Sequence, residues 1–79
     1  MKNIDWDDET YVDLSTGNTV GKVTVDGRKM KFLFTEEVIE DRGIDRCVQF
    51  ATDLIQDRDL TKHDQVLVKT GKPFTVTFL

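Results

Sequence analysis

Few side chains in this sequence have types suited to chemistry, and their spacing argues against it. His63 is the only histidine and Cys47 the only cysteine. His63 sits between Lys62 and Asp64 in a segment that reads as a loop. Adjacent side chains need not face one another and no nucleophile accompanies them, so His63 is expected to be exposed and catalytically idle. Cys47 falls on the apolar stripe of a helix, where a free thiol behaves as a small hydrophobe. A reactive role would require a depressed pKa and access to substrate. The run Asp5-Trp6-Asp7-Asp8-Glu9 invites comparison with a calcium loop, but an EF-hand needs glycine at its sixth position and glutamate at its twelfth. Counting from Asp5, those positions hold Thr10 and Thr16. Thr70-Gly71-Lys72 resembles the end of a phosphate loop, yet the upstream glycine is missing and a strand follows in place of a helix. The carboxylate pairs Glu36 with Glu40 and Asp53 with Asp57 lie one turn apart on helix surfaces, where water keeps them ionised and neither pair supplies a general acid. The expectation is a non-catalytic protein with no catalytic residue, no cofactor and no metal site.

The elements that hold these residues must come from one small chain. Its 79 residues are 38% apolar and 33% charged, which fits a single domain with a packed core. One cysteine offers no internal disulfide, and no apolar stretch approaches the roughly 20 residues of a membrane span. The first residues run into acid instead of a hydrophobic signal core, so the expected location is a reducing cytoplasm, with no membrane partner. Fifteen acids against eleven bases give a net charge of −4, a poor starting point for neutralising phosphates. The charges are segregated. Acids gather at 5–13, 36–45 and 53–64; bases gather at Lys22, Arg28, Lys29 and Lys31, and again at Lys62, Lys69 and Lys72.

Residues 1–9 read as a polar lead-in pinned by Trp6. Tyr11 to Leu14 reads as a short strand ended by Ser15-Thr16-Gly17-Asn18, a cluster with turn chemistry. Thr19 to Val25 and Arg28 to Phe34 are strands joined by Asp26-Gly27, suited to a two-residue hairpin with φ > 0 at both positions. That turn sets Val25 opposite Arg28, Val23 opposite Met30 and Gly21 opposite Phe32, so Val23, Val25, Met30, Phe32 and Phe34 share one face. A four-residue first turn would add Val12 and Leu14 to that face and leave Gly21 as space for a large ring. The other face carries Lys22, Thr24, Lys29 and Lys31 with one apolar pair, Val20 and Leu33. Thr35 is the expected N-cap of a short helix over 36–42 ending at Gly43. Asp45 caps a second helix to about Arg58, with Ile44, Cys47, Val48, Ala51, Leu54 and Ile55 as its stripe, Phe50 on the flank, and Gln49, Thr52, Asp53 and Gln56 on the far side. After a loop over 59–64, Gln65 to Lys69 and Phe74 to Leu79 form a second hairpin, the latter alternating as a half-buried strand. The expected fold is α+β: an antiparallel sheet of a three-stranded meander plus a C-terminal hairpin, with both helices on one face, in the order βββ-αα-ββ.

Four stretches carry a resemblance: Trp6-Asp7, Val25-Asp26-Gly27-Arg28 leading into a strand, Thr35-Glu36-Glu37-Val38-Ile39-Glu40-Asp41, and Val66-Leu67-Val68-Lys69-Thr70 as a final strand. Together they resemble a family of short bacterial proteins, the domain of unknown function numbered 1488, over less than half of the chain. The helical middle is shorter than that resemblance implies, and the strand from Phe74 to Leu79 is an addition. The resemblance implies the order of elements and transfers no catalytic residue.

What remains is surface. The first expectation is a protein-binding or regulatory module, an inhibitor of a larger protein among the forms it could take. Its candidate contact residues are Trp6, Tyr11 and Phe50, since aromatic anchors dominate interfaces, together with the acids Glu36, Glu37, Glu40 and Asp41. The bland alternative for Trp6 is a cover for the sheet edge or helix end. The C-terminal strand is a candidate edge for strand addition or a homodimer. An alternative is a nucleic-acid mimic presenting Glu36, Glu37, Glu40, Asp41 and Asp45 to a basic groove. Another is weak nucleic-acid binding through Lys22, Arg28, Lys29 and Lys31, which lacks the interleaved aromatics of sheet-based readers.

Overall fold

The computed structural model describes all 79 residues. Its elements are β1 (Ile4–Trp6), β2 (Tyr11–Val12), β3 (Thr19–Val25), β4 (Arg28–Phe34), α1 (Glu36–Arg42), α2 (Ile44–Asp57), β5 (Gln65–Thr70) and β6 (Phe74–Phe78). The fold is α+β with a mixed, six-stranded sheet in the order β1-β3-β4-β5-β6, and β2 adds to the far end of β3. The β3–β4 register is the one that Asp26-Gly27 dictates, with Val25 opposite Arg28, Val23 opposite Met30 and Gly21 opposite Phe32. Both turn residues are left-handed, at φ 49° and 84°, as a tight primed turn requires.

Several expectations fail, three of them in how the strands pair. The sheet is not purely antiparallel, because β5 runs parallel to β4, with Phe32 beside Val66 and Phe34 beside Val68. The residues from 35 to 64 form a crossover long enough to carry the chain back to the starting end of the sheet, and a helical crossover of that length produces parallel neighbours. The order is also not simply βββ-αα-ββ, because the lead-in supplies a strand of its own. Ile4 and Trp6 alternate with Asp5, and β1 pairs antiparallel with β3, Trp6 opposite Val23. Finally, Val12 and Leu14 do not join the core. Val12 lies opposite Thr19, and the turn spans six residues. Asp13 ends the strand by accepting from the Ser15 N–H at 3.0 Å and the Ser15 hydroxyl at 2.7 Å, local bonding that competes with the ladder. Those bonds hold the Asp13 carboxyl below its ordinary pKa, and Leu14 is left 95% exposed.

The core lies between the sheet and the two helices. Phe32, Phe34, Val38, Cys47, Ala51, Val66 and Val68 are fully buried, closed off by Val23, Met30, Ile55 and Leu60. Leu60, from the loop after α2, is anchored by Arg28. The Arg28 guanidinium donates to the carbonyls of Leu60 and His63 and to Asp64 Oδ1, the last at 3.1 Å. Thr35 caps α1 by accepting from the Val38 N–H at 3.3 Å, with Glu36 and Glu37 at the positive end of the helix dipole. Asp45 is not the cap of α2. It lies within the first turn, and Gly43, which ends α1, occupies the cap position without a side-chain bond.

Trp6 closes the core at the β1 end. Its ring centroid is 5.6 Å from that of Phe32, and its Nε1–H donates to Thr52 Oγ1 at 3.0 Å. Thr52 therefore faces the sheet side, in contrast to the far-side position expected for it, and donates in turn to the Val48 carbonyl at 2.8 Å. Gly21 makes room for this arrangement: a Cβ there would sit 3.0 Å from Trp6 Cζ3 and 3.5 Å from Phe34 Cε2. The ring that fills the space is Trp6, against the expectation of Phe32.

Because the Trp6 ring is held at both ends, it cannot yield to a new methyl group. Gly21→Ala should lower stability by about 1 kcal/mol by overpacking. In a Trp6→Ala background the same change should be neutral or stabilising, since alanine is the better strand residue. Urea unfolding of the four proteins in the double-mutant cycle checks this; equal effects of Gly21→Ala in both backgrounds would show that Trp6 does not occupy that space.

Candidate partner-binding face

The sheet has two unlike faces. The helices cover one. On the other, side chains from five strands line up by register: Tyr11 opposite Val20, Val20 opposite Leu33, Leu33 beside Leu67, and Leu67 opposite Thr77. At about 4.8 Å between strands, its apolar members Tyr11, Val20, Leu33 and Leu67 span roughly 14 Å, and Thr77 ends the row. Tyr11 is 46% exposed and Val20 beneath it is 3% exposed, while Leu33 and Leu67 are half-buried.

Lysines flank the row on both sides. Lys22 is directly opposite Lys31, and like charges in that position repel. Lys29 follows on the same face of β4, opposite Thr24, and Lys69 on β5 opposite Thr75. None of the four is within ion-pair distance of a carboxylate; the two ion pairs of the molecule are Arg28–Asp64 and Arg42–Asp41. Lys22 instead places its ammonium 5.6 Å from the Tyr11 ring centroid, a cation–π contact. A shallow depression of about 330 Å³ lies beside the row, where Lys22, Lys29 and Lys31 meet Asp7 and Asp64. Arg28 is not part of this face, being on the opposite side of β4 and bound to the 60–64 loop. The helical layer is the electrical opposite, with seven acids and two arginines between Glu36 and Asp57.

The expected contact residues are distributed over the whole molecule. Tyr11 is on the open face beside Lys22. Trp6 is half-buried, bonded to Thr52, and covers the sheet edge and the helix. Phe50 stacks on Phe74 at 4.3 Å between centroids, near the β6 edge. Glu36, Glu37, Glu40 and Asp41 are exposed on α1, in the other layer from the lysines. Leu67 and Lys69 belong to the open face by register, which local sequence does not show. Their alternation with Val66 and Val68 is visible in sequence; their place next to Leu33 follows from the parallel pairing.

The residues with chemical potential occupy structural positions. His63 is half-buried instead of exposed, its ring 5.1 Å from that of Phe78. Cys47 is fully buried, its Sγ 3.9 Å from the Val38 carbonyl, and burial pushes its thiol pKa up. Thr70 ends β5, and Gly71-Lys72 begins the β5–β6 turn. A Cβ on Gly71 would lie 2.4 Å from Thr75 Oγ1 and 2.7 Å from the Phe74 carbonyl carbon, so glycine serves close backbone approach. No helix is long and apolar enough to cross a membrane. No protein-family model matches the chain, and neither a curated protein nor a solved structure matches it.

A buried thiol with a raised pKa reacts only when the structure opens. Alkylation of Cys47 by iodoacetamide at neutral pH should be at least about a hundredfold slower in the folded protein than in urea, rising in step with global unfolding. Rapid labelling under native conditions would show that α2 leaves the sheet independently.

Proposed function

We propose that this protein is a non-catalytic binding module whose open sheet face docks an acidic, leucine- or aromatic-containing segment of another protein, and that it regulates or inhibits that partner by occupancy. The observation that carries this reading is the directly opposed pair Lys22 and Lys31, neither in an ion pair, beside an apolar row on a chain with a net charge of −4. Such a pair costs stability in the free protein, and a docked carboxylate relieves it. The apolar row supplies the non-directional part of binding, while the flanking ammonium groups fix where acidic side chains fall.

Nucleic acid fits this face less well. Tyr11 is its only aromatic side chain, and single-stranded readers stack successive bases on several. The mimic reading uses the other layer, where Glu36, Glu37 and Glu40 are exposed without an ion-pair partner. It predicts a basic partner and a complex that weakens on reversing those charges. The resemblance to the domain of unknown function numbered 1488 adds no contact residue to either reading.

Lys31→Glu separates function from stability. Facing Lys22, the new carboxylate should stabilise the folded protein by about 0.2–1 kcal/mol, and it should weaken docking of an acidic peptide at least about tenfold. The check is an NMR titration with a synthetic peptide of alternating glutamate and leucine, with a neutral glutamine–leucine peptide and a single-stranded oligonucleotide as controls. Acid-dependent shifts confined to Tyr11, Lys22, Lys31, Leu33, Leu67 and Lys69 support the reading. Tighter binding of the oligonucleotide, or shifts centred on α1, would reassign the surface.

A further inference from the structure

The two edges of the sheet are built differently. At one end, β1 has three residues and β2 two, and Asp7, Asp8 and Glu9 lie between them. Short strands and charge are the usual protections of an edge. At the other end, β6 has five residues, Phe74-Thr75-Val76-Thr77-Phe78, with no charge among them. Only its antiparallel pairing with β5 is made.

The ladder fixes which backbone groups of β6 are free. The Leu79 N–H donates to the Gln65 carbonyl at 2.9 Å, and these two residues are in register. Hydrogen-bonded pairs alternate along an antiparallel ladder, so Thr77 and Thr75 bond to Leu67 and Lys69. The N–H and C=O groups of Phe74, Val76 and Phe78 therefore point outward from the sheet edge. The side chains of those same three residues lie on the helical side, half-buried. There Phe74 stacks on Phe50, and Phe78 lies between His63 and the Arg58 guanidinium, the latter 5.7 Å from its ring.

The five residues read identically in both directions about Val76. We propose that β6 is a homodimer edge, pairing antiparallel with β6 of a second copy about a two-fold axis at Val76. In that register Phe74 lies opposite Phe78 of the second copy, Val76 opposite Val76, and Thr75 opposite Thr77. All three outward-pointing residues then fall in hydrogen-bonded pairs, each exchanging both N–H···O bonds. A slip of one residue sets outward groups against inward ones. A slip of two removes one phenylalanine from each end of the match. The isologous contact also brings the half-buried phenylalanines of the two copies together on the helical side, with no like charges meeting within the paired strands. Since the opposite edge is short and acidic, growth stops at two copies instead of continuing into a filament.

Sedimentation equilibrium of the full chain, with amide exchange measured across the same concentrations, tests this. The expected result is a doubled mass, with protection of the Phe74, Val76 and Phe78 amides rising as the dimer forms and that of Thr75 and Thr77 unchanged. The variants Thr75→Lys/Thr77→Lys and Thr75→Glu/Thr77→Glu should each be monomeric alone and should pair one-to-one when mixed, because each lysine then meets a glutamate. A monomer at every concentration up to about 1 mM, or a dimer that leaves those three amides unprotected, overturns the proposal. A mixture that stays monomeric while both variants remain folded overturns it as well. If either variant fails to fold, wild-type exchange alone decides.

Discussion

Between Phe34 and Gln65 the chain leaves the sheet, builds two helices, and returns to lay β5 parallel to β4. That pairing sets Val66 and Val68 next to Phe32 and Phe34 under the helices, all four without solvent exposure. Full burial of each such side chain contributes about 1.5–3 kcal/mol, and in a chain this small few other residues could replace them. The pairing also sends Leu67 and Lys69 to the open face and carries β6 to the outer edge. Without it there would be no continuous apolar row and no free aromatic edge.

The crossover needs firm attachment at both ends. Thr35 caps α1 and Gly43 turns the chain directly into α2. After α2, Arg28 holds the carbonyls of Leu60 and His63, which places Leu60 in the core and aims β5 at β4. At the other side of the helical layer, Trp6 donates to Thr52, and the Lys2 ammonium donates to the carbonyl of Ile55 in the last turn of α2 and to that of Arg58, its C-cap. The lead-in thus works as an edge strand and as a clamp on the helix. Its pairing continues to the hairpin turn, where Asn3 and Asp26 exchange bonds at 2.9 Å.

One layer of this sandwich is acidic and helical; the other is an open sheet bearing lysines. A net charge conceals such an arrangement, because opposite faces cancel in the sum while each acts on its own approaching partner. The open face is the one with an evident energetic tension, the opposed Lys22 and Lys31. The β6 edge has a different character: it carries no charge, and Phe74, Val76 and Phe78 are its half-buried side chains.

Much of the local structure was legible in the residues. Asp26-Gly27 fixed the central hairpin and therefore which side chains of β3 and β4 face the helices, because a two-residue turn permits one register. Thr35 and Gly43 bounded α1, and spacings of three and four gave the buried stripe of α2. Local signals failed where long-range contact decided. Asp13 has the place of a strand residue in the sequence, yet its own side-chain bonds end the strand. The lead-in became a strand because β3 offered an edge and Thr52 a partner for Trp6. His63 and Thr52 have solvent-facing sequence positions and are half-buried. The direction of β5 and its neighbour are properties of no single segment; they follow from how two helices cover one apolar face. The candidate face is the clearest case: the lysines of β3 and β4 share a side by alternation alone, but Tyr11, Leu67 and Lys69 join them only through pairings made between distant parts of the chain.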